Sequence, residues 1–405
     1  MSVLGALQAL WRRTASRSLR EAAAPAVNHA TQAYVRASVR RRGAPPSGRA
    51  VKVVGYASEA SGIAASARLA VRAFEALGVP VETVDIGAAG RLDFSKALSG
   101  PTGAAAWIFH LNPPELLAAL ACLGPREVVG PRYGYWAWEL PLAPASWGRD
   151  AALVDEVWAP SRFTADSLRG AAAPVRVVPH PLVMADYARV RATPRRAQFQ
   201  GVAVFDFNSS LARKNPQGAI AAWAQAFGAA DDAQLTLKTH NGAAFPDALA
   251  ELQSIAPPNV RIVDEPWAYD DVKRLIAGAD VLLSLHRAEG FGLTPAEAMA
   301  LGTPVLATGW SGVMDFMDPD SAILVPSTQI KVKDPQGIYP AGQSWAEPDL
   351  EAAAMGLRRL RDDATLRRSL ARAGRERVRR LLSPQAWFET LPEGVKRAAL
   401  AARAG

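Results

Sequence analysis

The stretch HRAEGFGLTPAEAMALGTPVLATGWSG, residues 286–312, decides the fold of this chain. It joins a short apolar run, VLLSLH at 281–286, to a helical pattern that we predict to begin at Pro295. A turn from a buried strand into a helix presents backbone N–H groups and the positive end of the helix dipole. The stretch therefore predicts a site for an anionic phosphate.

Two carboxylates flank this turn. Glu289 precedes the glycine-flanked Phe291 and has no local helix to cap, so a functional role is favoured for it. Glu297 has a structural alternative, because Thr294-Pro295-Ala296-Glu297 has the pattern of a capping box with Thr294 as N-cap. Taken alone, Glu297 is better explained as a cap than as a ligand.

Strand and helix patterns alternate on both sides of the turn. Strand candidates in the first half include VKVVGY at 51–56 and AAWIFHLN at 105–112, and the second half begins with VAVFDF at 202–207. Such alternation is typical of parallel sheets covered by helices on both faces. The first βα unit lacks a complete G-x-G-x-x-G, so a nicotinamide cofactor is poorly supported.

Composition limits the class of protein. A chain of 405 residues can hold two domains, and its 49% apolar content is ordinary. The single cysteine, Cys122, excludes an intrachain disulfide and fits a cytoplasmic location. No apolar stretch reaches the length of a membrane span. The net charge of +8 is spread over arginines without an aromatic-basic motif, so we expect no nucleic-acid partner.

The N-terminal 48 residues differ from the rest. Apolar residues between Val3 and Trp11 recur at helical spacing and are followed by arginines, and a second helix is predicted from Val27 to Arg40. A basic amphipathic helix can lie on an anionic membrane surface, which would place the protein at the inner face of the membrane. The alternative is a helix that packs against the body of the protein or stays partly disordered.

The combined motifs resemble the retaining glycosyltransferases of family 4. The resemblance covers Val51 to the C-terminus and is sharpest over 281–312, which carries an E-x7-E pattern. It implies the α/β GT-B fold, with two Rossmann-like doubly wound domains that face a central cleft. The domains would span 49–197 and 198–384, after a helical appendage at 1–48 and before a C-terminal helix at 385–405 that crosses back to the first domain.

The resemblance also implies an activity. The protein would move a hexose, with mannose slightly favoured, from a nucleotide sugar to a glycan or lipid-linked acceptor in surface-polysaccharide synthesis. Lys, Arg and helix N-termini can stabilise a diphosphate leaving group. Since no D-x-D stands in the loops where a metal-dependent transferase would hold its cation, we expect no metal and no other cofactor.

Site residues follow from the same resemblance. Glu289 would contact the hydroxyls of the donor sugar, Glu297 the ribose, and His110, at the end of a strand, would hydrogen-bond the donor sugar. For His110, a buried structural role is an equally good interpretation. The loop that would face the phosphates consists of Gly290, Phe291, Gly292, Leu293 and Thr294.

Basic residues after the strands of the second half would grip the donor phosphates. Lys214 matches the lysine of the family, while Asn208 or Ser209 stands where relatives carry an arginine; Arg213 could replace it. The alternative for Arg213 and Lys214 is a solvated loop pair. Lys238 ends the next strand and could also reach the donor.

Further candidates lie in the first half. Gly62 would let the backbone approach the ligand, and Arg68 would reach the cleft from the following helix. An aromatic cluster could form an acceptor platform, although core packing between the domains explains it at least as well. Its members are Tyr135, Trp136, Trp138 and Glu139.

Two other functions remain open. A sugar-nucleotide epimerase can share this fold, but the two acids and Lys214 favour transfer. A catalytically silent GT-B subunit that supports a partner transferase is the second alternative, and Asn208 at the arginine position counts in its favour.

Overall fold

The computed structural model describes residues 17–39, 50–56, 62–86, 104–124, 128–193 and 197–404. Within them, two parallel sheets of six strands each follow one another along the chain. The first sheet has the order β2-β1-β3-β4-β5-β6. Its strands are β1 Val51–Gly55, β2 Val81–Asp85, β3 Ala106–Phe109, β4 Arg132–Tyr135, β5 Glu156–Ala159 and β6 Val175–Val177.

The second sheet has the order β12-β11-β10-β7-β8-β9. Its strands are β7 Phe199–Val204, β8 Ala233–Thr239, β9 Val260–Asp264, β10 Val281–Ser284, β11 Val305–Thr308 and β12 Ile323–Val325. An antiparallel hairpin, β13 Ser327–Lys331 and β14 Ser344–Pro348, lies outside both sheets and pairs Ser327 with Pro348 and Lys331 with Ser344. Both sheets are therefore parallel throughout, as the alternation of strands and helices predicts.

Helices connect the strands and cover the sheets. Those of the first half are α1 Arg17–Ser38, α2 Gly62–Ala76, α3 Pro113–Leu123, α4 Ala145–Asp150, α5 Arg162–Ser167 and α6 Met184–Ala188. Those of the second half are α7 Leu211–Lys214, α8 Pro216–Phe227, α9 Pro246–Ile255, α10 Tyr269–Gly278, α11 Leu293–Leu301, α12 Leu350–Asp362, α13 Ala364–Leu382, α14 Pro384–Thr390 and α15 Glu393–Ala404. No described helix is long and apolar enough to cross a membrane.

The central strands are buried on both faces. Every residue of β1, β3 and β11 is inaccessible to solvent or nearly so. Helices pack on the faces of both sheets and shield the inner strands from water. The hydrophobic runs of the sequence thus become the two cores, and the polar residues that follow the strands collect at the carboxyl edges of the sheets.

Helix α1 packs against the first domain. Val35 is completely buried in the core that surrounds α3, and Arg36 pairs with Asp150 at 2.8 Å. The described helix already includes Arg17, ten residues before the predicted Val27, so that prediction is wrong at its start. The helix predicted between Val3 and Trp11 lies outside the described residues.

The last two helices return to the first sheet. The rings of Trp387 in α14 and Phe74 in α2 meet edge to face at 4.8 Å. Leu391, Val395 and Ala399 are buried in the same core as β1. Buried aromatic and aliphatic side chains therefore hold the C-terminus of the chain on the N-terminal domain.

Candidate functional site

Each sheet has one point where the direction of strand addition reverses, between β1 and β3 in the first sheet and between β7 and β10 in the second. Ligands of open α/β sheets bind outside the carboxyl ends of the strands at such points. His110 directly follows β3, and Glu289 lies five residues after β10. The loop after β7 carries Arg213 and Lys214. The topology therefore directs the main sequence candidates to the two edges where a ligand is expected.

Glu289 is the centre of a charged cluster. It is 8% exposed, and its Oε1 accepts a hydrogen bond from Lys214 Nζ at 2.6 Å. The Nη1 atom of Arg213 lies 3.3 Å from Oε2. Burial alone raises the pKa of this carboxyl, but the charges of Lys214 and Arg213 outweigh it and bring the pKa down to about 2. Glu289 is therefore ionised at every physiological pH.

Arg213 is held by backbone carbonyls as well as by Glu289. Its Nη1 donates to Ala288 O at 2.9 Å and its Nη2 to Ser209 O at 3.2 Å. Burial lowers its pKa, and the nearby Tyr339 and Glu289 more than offset this and raise it. Arg213 is almost fully buried, whereas the Lys214 side chain stays 21% exposed, so Lys214 is the cation that a ligand can reach.

The loop that carries these cations has an unusual backbone. Ser210 and Asn215, on either side of α7, both have positive φ, at 53° and 54°. The Ser210 hydroxyl accepts from Arg213 N, and the Asn215 side chain accepts from Gly218 N. These local hydrogen bonds offset the backbone strain and fix the direction of α7. The loop is therefore ordered rather than a solvated turn.

The glycines of the E-x7-E loop allow close backbone packing. A Cβ on Gly312 would lie 2.4 Å from Gly290 O, which excludes any side chain there. Gly290 O also accepts hydrogen bonds from two hydroxyls of the first domain, Ser161 Oγ at 2.5 Å and Thr164 Oγ1 at 3.2 Å. Ser161 and α5 thus join the two domains directly at the loop.

Helix α11 differs from the prediction at its N-terminus. It begins at Leu293, two residues before the predicted Pro295, and its cap is Gly292 with φ of 92° and no side-chain hydrogen bond. The capping-box interpretation of Thr294 and Glu297 is therefore wrong. Because no side chain occupies the cap position, the N–H end of the helix is left for a ligand.

Glu297 instead contacts Tyr187 of helix α6. Its Oε1 accepts a hydrogen bond from the Tyr187 hydroxyl at 3.1 Å, and both side chains are buried. Burial raises the pKa of Glu297 to about 8, which the hydrogen bond from Tyr187 lowers only in part. Glu297 is therefore mainly protonated near neutral pH, in contrast to Glu289.

His110 is a neutral side chain in the first domain. Its Nδ1 lies 2.6 Å from Ser66 Oγ, and burial together with His180 lowers its pKa to about 3. Among the described residues, its Nε2 has no hydrogen-bond partner. Ring contacts lead from His110 to Tyr135, from Tyr135 to His180, and from His180 to Phe291, at 4.6, 5.3 and 4.7 Å. His110 and the E-x7-E loop are thus connected through a continuous set of rings.

Two candidate residues of the second domain, Lys238 and Asn208, make other contacts. Lys238 is buried, and its Nζ donates to the carbonyls of Thr239 and Glu265 at 2.5 Å each. These carbonyls accept hydrogen bonds from its ammonium group, and the predicted contact of Lys238 with the donor stays a prediction. Asn208 is exposed, and its backbone N–H donates to Asp206 at 2.9 Å; its contact with the donor stays a prediction.

The predicted acceptor platform is largely core. Trp136 is completely buried and packs on Trp147, and Tyr135 is buried with its hydroxyl donating to Val178 O. Neither ring presents a face to a sugar, so this prediction is wrong for both. Trp138 packs against Trp147 and Tyr339. The alternative, core packing between the domains, describes the cluster.

Glu139 accepts a hydrogen bond from the Tyr339 hydroxyl at 2.9 Å and is half-buried. Gly62 begins α2, where a Cβ would have open space. Arg68 is exposed on the same helix. The roles of Gly62 and Arg68 toward a ligand stay predictions. Among the described residues, no three His, Cys, Asp or Glu side chains are grouped as a metal site.

A family model described as "Family 4 Glycosyltransferase in conflict systems" matches residues 161–387, more than half of the chain. The chain belongs to this family. The matched region begins at the Ser161 contact, contains the whole Glu289 cluster, and ends in α14.

Solved structures share the fold of this family 4 chain. The crystal structure of Anabaena HepE in complex with UDP and glucose has a TM-score of 0.60 at 15% identity, covering 84% of this chain and 97% of that one. Sucrose-phosphate synthase from Thermosynechococcus elongatus has a TM-score of 0.61 at 16% identity, covering 88% and 99%. The two six-stranded sheets are thus a GT-B fold.

A glycogen synthase of Bordetella bronchiseptica is 42% identical over 89 residues. This stretch is 20% of the present chain and 17% of that protein. The chain therefore matches only a small part of this curated relative.

Several residues of the site carry no recognisable sequence signal. Tyr187 lies 110 positions before Glu297, and Tyr339 lies 200 positions after Glu139. Ser66 lies 44 positions before His110. Only the tertiary fold brings these pairs together, and no local pattern could have indicated them.

Proposed function

We propose that this family 4 chain is a metal-independent retaining hexosyltransferase that uses a nucleotide sugar as donor. The observation that carries the proposal is the ionised, buried Glu289, held by Lys214 and Arg213 at the reversal point of the second sheet. A buried carboxylate with two cations beside a helix N-terminus combines groups for a sugar and for its diphosphate.

Each group has a separate role in the proposed site. Lys214 and the N-terminus of α11 bind the diphosphate, and Arg213 fixes Glu289 and the loop. Glu289 accepts hydrogen bonds from the donor sugar hydroxyls, and Glu297 accepts from the ribose. His110 contributes its Nε2 to the sugar. Its pKa of about 3 keeps the ring neutral, so it does not act as an imidazolium acid.

The proposed reaction takes place on one face of the sugar. The bond between the anomeric carbon and the diphosphate oxygen breaks, and its electron pair stays on the oxygen. The acceptor hydroxyl forms the new bond on the same face, and its proton passes to the departing phosphate. Lys214 and the helix dipole stabilise the charge that develops on the diphosphate, so the protein supplies electrostatic stabilisation in place of a metal.

The donor and acceptor are proposed by class. A hexose fits the proposal, with mannose expected from the resemblance and glucose suggested by the relative crystallised with UDP and glucose. The acceptor is a glycan or a lipid-linked sugar in surface-polysaccharide synthesis. The protein would act in the cytoplasm, with peripheral contact at the membrane through its basic N-terminal residues.

The experiment is a donor-consumption assay. Purified protein is incubated with GDP-mannose, UDP-glucose and other common nucleotide sugars, with and without short glycan acceptors, and the released nucleoside diphosphate is measured. The configuration at the anomeric carbon of the product is then read by NMR. The proposal expects release from one donor with retention of configuration. Release from none of them with any acceptor would favour a silent subunit, and inversion would contradict the mechanism.

A further inference from the structure

The hairpin arm, residues 327–348, belongs to neither sheet and contacts both domains. At its base, Glu347 forms a two-bond ion pair with Arg287, at 2.6 and 3.0 Å. Ala346 N also donates to Arg287 O at 2.9 Å. Because Arg287 lies two residues before Glu289, the arm is anchored at the start of the E-x7-E loop.

The tip of the arm supports the loop after β7. Ser210 Oγ donates to Asp334 at 3.0 Å, and Leu211 N donates to the side-chain oxygen of Gln336 at 2.5 Å. Gln336 in turn donates to Phe207 O at 2.7 Å. These bonds hold both sides of the strained residue Ser210, whose φ is positive. The arm therefore stabilises the conformation that presents Arg213 and Lys214.

The same tip reaches the first domain. Gln343 and the backbone of Leu142 exchange two hydrogen bonds, one from Leu142 N at 2.8 Å and one to Leu142 O at 2.9 Å. The Tyr339 hydroxyl donates to Glu139 at 2.9 Å, and its ring packs on Trp138 at 5.5 Å. The arm thus forms two separate hydrogen-bonded connections to the first domain, one through Gln343 and one through Tyr339.

Tyr339 is the point where the two sets of contacts meet. The Arg213 guanidinium lies over its ring, 5.9 Å from the ring centre, while its hydroxyl binds Glu139. Arg213 is buried and close to Glu289, and its Nε has no hydrogen-bond partner among the described residues. The ring of Tyr339 therefore holds the Arg213 guanidinium by packing, in addition to the hydrogen bonds that its Nη atoms make.

We propose that Tyr339 is a positioning residue for the donor site: its ring orients Arg213 and, through Arg213, the Glu289–Lys214 pair. The identity of the ligand, a nucleoside diphosphate, rests on the proposed function. The positioning role of Tyr339 rests on the contacts alone. The two connections of the arm should therefore differ in their effect on the site, because Gln343 joins the domains without touching Arg213.

The test compares three kinds of variant in the full-length protein. Tyr339→Leu and Tyr339→Met remove the aromatic face and keep apolar volume. Tyr339→Phe keeps the face and removes the hydroxyl bond to Glu139, and Gln343→Ala removes the side-chain hydrogen bonds of the arm to Leu142 without changing Tyr339. Hydrogen exchange of the 205–216 segment is measured by mass spectrometry, and the affinities for UDP, GDP and ADP are measured by calorimetry.

The loss of a desolvated cation–π contact is expected to weaken the binding of the preferred nucleoside diphosphate roughly tenfold and to speed exchange in 205–216. This result is expected for Tyr339→Leu and Tyr339→Met. Tyr339→Phe and Gln343→Ala should stay within roughly twofold of the wild type. In donor-consumption assays the effect should fall mainly on KM, since Arg213 fixes the loop whose Lys214 binds the diphosphate.

Wild-type exchange and affinity in folded Tyr339→Leu and Tyr339→Met would overturn the proposal. Equal losses in Gln343→Ala would also overturn it, because the arm would then act by joining the domains and not through Arg213. If the wild type binds none of the three nucleotides, the proposed function fails, while the exchange comparison still decides the role of Tyr339. If both ring-deleting variants fail to fold, wild-type exchange in Tyr339→Phe supports the role of the ring, and faster exchange there contradicts it.

Discussion

Replacement of Glu297 by glutamine should make the protein more stable, and the gain should grow with pH. In the unfolded chain the Glu297 carboxyl loses its proton near its ordinary pKa of 4.5, whereas burial holds the pKa in the folded protein at about 8. Between these values the folded state binds the proton that the unfolded state releases. Stability therefore falls as the pH rises through this window and levels off above about pH 8.

The magnitude follows from the width of the window. Each unit of pKa difference corresponds to about 1.36 kcal/mol, so the change from about pH 5 to about pH 7.5 amounts to about 3 kcal/mol at most. Local relaxation reduces such values in real proteins. Glutamine has the shape of the protonated acid and does not titrate, and it can still accept the Tyr187 hydrogen bond. The variant should therefore match the wild type near pH 5 and exceed it near pH 7.5.

Urea unfolding at three pH values, followed by tryptophan fluorescence, measures the difference. Tyr187→Phe is a matched control, because the Tyr187 hydrogen bond lowers the pKa of Glu297. Without that bond the pKa of Glu297 should rise further, so the fall in stability should continue to a higher pH. A difference between Glu297→Gln and the wild type that is the same at about pH 5 and about pH 7.5 would refute the reasoning, since Glu297 would then titrate alike in both states.

Further predictions concern the charged cluster and its loop. Glu289→Gln should abolish donor consumption in the donor-consumption assay while circular dichroism shows a folded protein; wild-type turnover would remove Glu289 from the site. Lys214→Met should weaken binding of the diphosphate by more than tenfold in calorimetry, since a hydrogen bond to a charged group contributes about 1.5–3 kcal/mol; unchanged affinity would exclude that contact. Gly312→Ala should lower the free energy of unfolding by about 1–3 kcal/mol in urea titrations, because its Cβ would meet Gly290 O at 2.4 Å. Addition of EDTA should leave donor consumption unchanged, and a strict loss would contradict the metal-free mechanism.

The architecture can be predicted from the sequence because the fold depends on repeated local patterns. Alternating strands and helices determine a parallel sheet, and the strand-to-helix turn at 281–301 locates the carboxyl edge of the second sheet. The association of Glu289 with Lys214 also follows, since both lie after neighbouring strands, β10 and β7. Local pattern and topology are sufficient for these features.

Other features depend on packing that no local pattern encodes. The sequence of Thr294 and Glu297 satisfies a capping box, yet the αL conformation of Gly292 starts the helix two residues earlier and frees Glu297 for Tyr187. Trp136 lies in an aromatic cluster that suggests a platform for a sugar ring, but its side chain is enclosed by the core. In each case a contact between distant segments overrides an interpretation that is correct for the isolated segment.

The hairpin arm is the largest element without a sequence prediction. The segment from Val332 to Trp345 has no helical or alternating pattern, and its order comes from contacts with Leu142, Glu139 and Ser210. Each partner lies more than a hundred residues away along the chain. Such a segment becomes predictable only when both domains are already in place.

The most direct test of the central claim is a thermal-shift comparison of the wild type and Lys214→Met with UDP, GDP and ADP in the absence of divalent metal. A nucleotide at about a hundred times its Kd stabilises the folded protein by about 2.7 kcal/mol. The account predicts a raised melting temperature with one nucleotide for the wild type and a much smaller shift for the variant. Equal shifts in both proteins, or no shift in a folded wild type, would contradict a donor site built on Glu289 and Lys214.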